Sequence, residues 1–161
     1  MQTKLFAAFA GVALLAACNT PPKTDTLGSS GGGGATAVAA GPTAGSQEDL
    51  VAKGFDRVFF STAVSALTTD ARSTLDSQAG FFTQYPQDNI EVAGNCDERG
   101  TEEYNIELGQ RRANSSRDYL VAKGVAGSRI TTISYGKDRP TATGSDESAW
   151  QQNRNAISSV R

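Results

Sequence analysis

The 161-residue sequence carries a net charge of −2, with 38% hydrophobic and 7% aromatic residues. That length allows one domain of ordinary size plus tails, and the charge balance provides no basic stripe for a nucleic-acid partner. Histidine is absent, which removes Ser-His-Asp and Cys-His nucleophiles and every histidine-containing metal site; no cofactor or metal is indicated.

The first element is an export signal. Met1–Lys4 is a short basic n-region, and Leu5–Ala17 (LFAAFAGVALLAA) is an unbroken apolar run. The run is too short to span a bilayer, which takes about 20 helical residues, and it fits a signal-peptide h-region occupying residues 1–17. Its junction, LAAC at Leu15–Cys18, resembles the lipobox of bacterial lipoproteins. The resemblance implies that the signal is cut before Cys18, that Cys18 is diacylated and that its new amine is acylated. Two or more acyl chains give lasting anchoring where one is reversible. Asn19 rather than aspartate follows the cysteine, and by resemblance to the sorting rule of enteric bacteria this places the anchor in the outer membrane, on its periplasmic face.

Residues 18–54 then read as a lipidated cysteine and a disordered linker. Gly, Pro, Ser, Thr and Ala dominate "TPPKTDTLGSSGGGGATAVAAGPTAGSQ", and such a segment cannot bury enough surface to offset its ordering entropy. Roughly 35 residues of coil have an r.m.s. span of about 30–35 Å and a fully extended reach of about 115 Å. A lipid anchor on such a leash implies a partner some distance from the membrane.

The folded domain is expected over residues 55–161. DRVFF (56–60) reads as a strand. A helix follows, N-capped by Thr68 or Thr69, with Ala71, Leu75, Ala79 and Phe82 at helical spacing until Pro86. NIEVAG (89–94) alternates Ile90, Val92 and Gly94 on one side, a second strand. The next helix runs from about Glu102 to Lys123 and stops at Gly124, a suitable residue just past a helix end. RITTISYG (129–136) is a third strand, DESAWQQN (146–153) a short helix and NAISSVR (155–161) a final strand. The order βαβαβ(α)β predicts an α+β sandwich, with helices packed on one mixed sheet.

One side chain in this plan is out of place. On a wheel of about 100° per residue with Tyr104 at zero, Glu103, Glu107, Gln110, Asn114, Arg117 and Asp118 fall in one solvated arc between about 220° and 320°. Tyr104, Ile106, Leu108, Ala113, Tyr119, Leu120 and Ala122 fill a wide apolar face. Arg111 lies on the border, but Arg112, near 80°, points into the apolar face. A guanidinium is costly to desolvate without a partner, and the nearest negative charge is Asp97, with Glu98, in the loop between Gly94 and Gly100. Two readings stand. Asp97 and Arg112 form an internal salt bridge that pins loop to helix. Alternatively they line a polar notch that takes a zwitterion, the carboxylate receiving an ammonium and the arginine a carboxylate, in a bidentate grip where geometry allows.

The stretches GNCDERGTEEYNIELGQRRANSSRDYL, ISYGKDRP and NRNAISSVR resemble the OmpA-like C-terminal domain family, from about Arg57 to Arg161. The long pattern G-x-x-D-x-x-G-(x)4-N-x-x-L-(x)3-R-A is present in full from Gly94 to Ala113. The resemblance implies a periplasmic domain that binds peptidoglycan noncovalently through diaminopimelate in the stem peptide. The motif aspartate is Asp97 and the motif arginine is Arg112. Asn105 matches the motif asparagine, whose amide holds the loop or touches the ligand, and Leu108 matches a packing leucine. Arg154 is retained from the terminal signature. Lipid-anchored members engage the Tol system, above all TolB, and take part in envelope constriction at division, so those partners are implied by family alone. Three departures matter: Asn95 replaces a usual histidine, Ala63 and Val64 stand where an aspartate- or asparagine-bearing turn is usual, and Asn155 replaces an arginine beside Arg154. Cys96 is expected to be a small buried thiol without a partner.

A rival reading is an enzyme acting on the same polymer, because Glu98, Glu102 and Glu103 could supply the two carboxylates of a glycoside hydrolase. Glu103 falls on the solvated arc, however, and Glu102 and Glu103 suit the first turn of a helix electrostatically. The sequence is therefore read as non-enzymatic, and a purely protein-binding scaffold is the remaining alternative.

Overall fold

The structure is a computed structural model that describes residues 41–161. The export signal, Cys18 and the linker as far as residue 40 lie outside the described residues.

The chain forms α1 (Gln47–Ala52), β1 (Arg57–Phe59), α2 (Thr69–Gln84), β2 (Ile90–Asn95) and α3 (Glu102–Ala122). A 3-10 turn (Gly127–Arg129), β3 (Ile130–Gly136), α4 (Glu147–Asn153) and β4 (Asn155–Val160) follow. The strands make one four-stranded sheet in the order β1-β4-β2-β3. β2 and β3 run parallel while β4 is antiparallel to both β1 and β2, so the sheet is mixed, and the α+β class expected from the sequence is found, with the expected strand and helix order from β1 onward.

The helix boundaries follow from their caps. The Thr68 hydroxyl accepts the Ala71 N–H at 3.1 Å, and α2 ends one residue before Tyr85 and Pro86. The Thr101 hydroxyl accepts the Tyr104 N–H at 3.3 Å, with Glu102 and Glu103 in the first turn, where the helix dipole favours them. Gly124 closes the helix with φ 99°, a left-handed conformation that only glycine takes without strain. Leu75, Phe82, Ile90, Val92, Ala113 and Leu120 are fully buried between the helices and the sheet.

Close packing of α3 on β2 sets the position of everything that follows. A Cβ on Gly94 would lie 1.9 Å from the Gly109 carbonyl oxygen, so the two glycines let helix and strand backbones touch. Three residues further on, Arg112 reaches the end of β2, where its Nη1 donates to Asn95 O.

Two expectations are corrected. The folded part starts before Phe55: α1 is capped by Ser46, buries Leu50 completely and is tied to the last strand by Val160 N–H donating to Gln47 Oε1 at 2.8 Å. One buried leucine in a short polar helix leaves no periodicity to read, so the sequence sets the linker's end too late. The apolar face of α3 is also narrower than the wheel implies, since Tyr104 and Ile106 are exposed and Ala122 lies at an exposed end. The buried residues are Asn105, Leu108, Gly109, Arg112, Ala113, Ser116 and Leu120.

Candidate functional site

At the end of β2 a cleft of about 220 Å³ opens between three segments. Thr62 and Ala63 come from the β1–α2 connection, Cys96, Asp97, Arg99 and Gly100 from the β2–α3 loop, and Tyr104, Asn105, Leu108 and Arg112 from α3. A larger groove of about 610 Å³ runs beside β1, lined in part by Asp56, Asp70 and Arg154, but it contains neither Asp97 nor Arg112.

Arg112 is the largest fully buried side chain, at 0% exposure, and it lies immediately beneath the cleft floor. Its Nε donates to Val64 O at 3.0 Å, Nη1 to Asn95 O at 2.8 Å and to Cys96 Sγ at 3.4 Å, and Nη2 to Ser61 O at 3.0 Å. The Phe60 ring lies under the guanidinium, 5.2 Å from its centroid. Burial presses the Arg112 pKa downward against the pull of Cys96 and Asp97, but an arginine keeps its proton in proteins. All of its acceptors are neutral, and of its five donors one Nη2 hydrogen has no protein acceptor. The site thus contains a buried positive charge neutralised by no carboxylate.

The salt bridge between Asp97 and Arg112 is not formed. Asp97, 7% exposed, is bound instead by Arg99, through its backbone N–H at 3.2 Å, Nε at 3.1 Å and Nη2 at 2.7 Å, and by Arg154 Nη1 at 3.4 Å. Burial alone would raise the Asp97 pKa, but the hydrogen bonds from Arg99 and Arg154 outweigh it and hold the carboxyl below the usual aspartate range. A bidentate fork from Arg112 to a ligand is likewise not on offer in this state, because Nε and both Nη groups already hold carbonyls.

Asn105 is buried at 2% and holds the loop, its Nδ2 donating to Arg99 O at 2.8 Å while its backbone carbonyl accepts from the Cys96 thiol at 3.4 Å. Burial pushes the Cys96 thiol pKa up, so it stays protonated and unreactive; Cys96 is a free, buried thiol. Arg154 does not line the cleft, contrary to its expected place among the binding residues. It stands behind Asp97, with Nε donating to Phe60 O at 3.2 Å and Nη2 to Glu147 at 2.7 Å.

Two of the three departures from the family pattern meet. Asn95 Nδ2 donates to Asn155 Oδ1 at 2.9 Å, and Asn155 Nδ2 donates to Thr141 Oγ1 at 2.9 Å, so these substitutions form a buried amide pair away from the cleft. The third, Ala63, lies on the cleft rim with φ 55°. Sequence reasoning missed Arg99, Tyr104 and Thr62 as cleft residues. Arg99 carries the one available signal, a basic residue two positions after the motif aspartate. Among the described residues, no group of three or more His, Cys, Asp or Glu side chains is placed to hold a metal.

A mixed sheet with α3 laid against β2, and an acidic loop capping that helix, defines a class of domain. The OmpA family model matches residues 59–154, and the chain belongs to the OmpA family. Its similarity to one set of members extends over nearly the whole chain. It is 46% identical over 153 residues to the peptidoglycan-associated lipoprotein of Mesorhizobium japonicum, covering 95% of this chain and 87% of that protein. The crystal structure of the peptidoglycan-associated lipoprotein from Burkholderia pseudomallei superposes with a TM-score of 0.64 at 37% identity, over 66% of this chain and 90% of that one. The C-terminal domain of Helicobacter pylori MotB shares the fold, with a TM-score of 0.62 at 22% identity over 66% of this chain and 84% of that one.

Proposed function

We propose that this protein is an outer-membrane lipoprotein, anchored through Cys18, whose folded domain binds peptidoglycan noncovalently and so ties the membrane to the cell wall. The ligand group is the zwitterionic end of diaminopimelate in the stem peptide. The observation that carries this reading is Arg112, a buried cation with no carboxylate partner beneath a cleft whose other side holds Asp97. Its charge draws a ligand carboxylate to the floor, and a carboxylate at the opposite side receives an ammonium. Similarity to named peptidoglycan-associated lipoproteins supports the same assignment. The role is binding without catalysis: Cys96 is a protonated thiol, and Glu102 and Glu103 sit exposed in the first turn of α3. Membership of the Tol system, with TolB as partner and a part in envelope constriction at division, belongs to the same proposal.

The test is titration of the detergent-solubilised full-length protein with a muropeptide carrying diaminopimelate and with one carrying lysine. Lysine lacks the side-chain carboxylate, so the diaminopimelate form should bind at least tenfold tighter; equal affinities would overturn the zwitterion mechanism. Pelleting with intact sacculi, without release of soluble fragments, separates binding from hydrolysis. Loss of pelleting in Asp97→Ala separates wall binding from a purely protein-binding role.

A further inference from the structure

The assigned ammonium site is already taken. Asp97 Oδ1 accepts from Arg99 N and Nε, and Oδ2 from Arg99 Nη2 and Arg154 Nη1, at 3.2, 3.1, 2.7 and 3.4 Å. An ionised carboxylate has about four lone-pair sites, and the protein fills them all.

The two arginines are held very differently. The Arg154 side chain is 6% exposed and is pinned at three corners, by Phe60 O, Asp97 and Glu147. The Arg99 side chain is 40% exposed, lines the cleft, and has no side-chain acceptor other than Asp97 among the described residues. Its guanidinium lies over the Trp150 ring, 4.1 Å from the centroid. Glu147 and Glu98 are close enough for their charges to act on it, and Glu98 is positioned by the Trp150 indole N–H at 3.1 Å. A guanidinium leaving Asp97 therefore has an aromatic face to slide along and two carboxylates to receive it.

Resting on the proposed function, we propose that Arg99 is an internal occupant of the ammonium subsite, a specificity-determining side chain that the cationic group of the ligand must displace. Binding is then an exchange of cations on Asp97. The buried carboxylate is paired before and after, which avoids the cost of leaving it bare. Tethered two residues away, Arg99 competes at high effective concentration, so a simple amine in solution does not dislodge it. A ligand that also brings a carboxylate to the Arg112 floor has the second contact needed to do so.

The experiment compares the full-length protein with Arg99→Gln, Arg99→Lys and Asp97→Asn, titrated with the diaminopimelate muropeptide. Removing the competitor restores the binding-competent fraction, so Arg99→Gln should bind about three- to tenfold tighter, Arg99→Lys to an intermediate degree, and Asp97→Asn at least tenfold weaker. Trp150 is the single tryptophan in the chain, so its emission should change on titration of the wild type and stay constant in Arg99→Gln. Thermal melts establish that each variant is folded. Equal or weaker binding by Arg99→Gln, with Asp97→Asn still impaired, overturns the displacement and leaves the cleft standing. Undiminished binding by Asp97→Asn overturns the cleft assignment itself.

Discussion

Two arginines in this fold each hold three main-chain carbonyls, and only one of them underlies a cleft. Arg129, half-buried at the far end of the sheet, donates to Asp88 O at 2.8 Å, Phe82 O at 3.0 Å and Tyr85 O at 2.7 Å. Phe82 and Tyr85 belong to the end of α2, where the helix dipole already presents negative potential and a cation is at home. Arg112 holds carbonyls of a loop and a strand end, is sealed from water, and has Phe60 beneath it. The first arrangement is a complete helix-end cap. The second supports a structure and leaves a charge over, and that surplus beneath an open cleft is what a ligand can use. An arginine in a carbonyl cradle without a carboxylate is therefore not by itself a sign of function; complete burial beneath an open cleft, away from any helix end, is.

The largest effect is expected at Arg112. Arg112→Met takes the guanidinium donors from the carbonyls of Asn95, Val64 and Ser61, of which Ser61 O keeps the Val64 N–H, and at about 1–3 kcal/mol for a buried group left unsatisfied the loss is about 3 kcal/mol in urea unfolding. Muropeptide binding is lost with it. If this variant kept both its midpoint and its affinity, the distinction between the two arginines would disappear.

Asp97 comes next. Asp97→Asn removes hydrogen bonds to charged donors, which are worth about 1.5–3 kcal/mol each, and about 2 kcal/mol is expected at neutral pH. The folded-state pKa of Asp97 is depressed, so its contribution is fully present above the unfolded value of about 3.9 and is lost as pH falls through the folded value. The stability gap between wild type and Asp97→Asn should hold constant from neutral pH to about pH 5 and close below about pH 4. A gap that widened on acidification would mean that Arg99 and Arg154 do not stabilise the ionised form.

Arg129→Met should cost less, about 1–1.5 kcal/mol, because the Arg129 side chain is itself only half-buried and water can take its place. Muropeptide affinity should be unchanged. A loss of binding here would show that any damaged arginine cradle disturbs the cleft.

Much of this contrast is visible in the residues themselves. Helix periodicity, a Thr68 or Thr69 cap, and Gly124 as a stop placed α2 and α3, since those signals are local. The inward arginine was visible because a charge on an apolar arc breaks the pattern. Its partners were not, because carbonyls of Ser61, Val64 and Asn95 are main-chain atoms brought in from other elements, and no side chain marks them. For the same reason the wheel drew too broad a buried face: it cannot know that nothing covers Tyr104 and Ile106, which stay exposed. Arg154 and the pairing of Asn95 with Asn155 depend on β4 lying beside β2, a contact across about sixty residues that no motif spells out.

The smallest effect sharpens the comparison from the other side. Ala63 has φ 55°, a left-handed conformation that costs a residue with a Cβ about 1–2 kcal/mol. It sits in the turn closed by Val64 N–H donating to Ser61 O at 3.3 Å, and both of those residues give carbonyls to Arg112. The arginine therefore holds a strained turn in place over its own charge. Ala63→Gly removes the strain but adds chain entropy to the unfolded state, worth about 0.5–1 kcal/mol in the opposite direction. The net expectation is a stabilisation of about 0.5 kcal/mol, read as a rise of a few degrees in melting temperature. In the Arg112→Met background the turn is no longer held, so the same substitution should stabilise by less, and a double-mutant cycle reads the difference. Strict additivity would mean that the turn keeps its conformation without the arginine, and that the strain at Ala63 is unconnected to the buried charge.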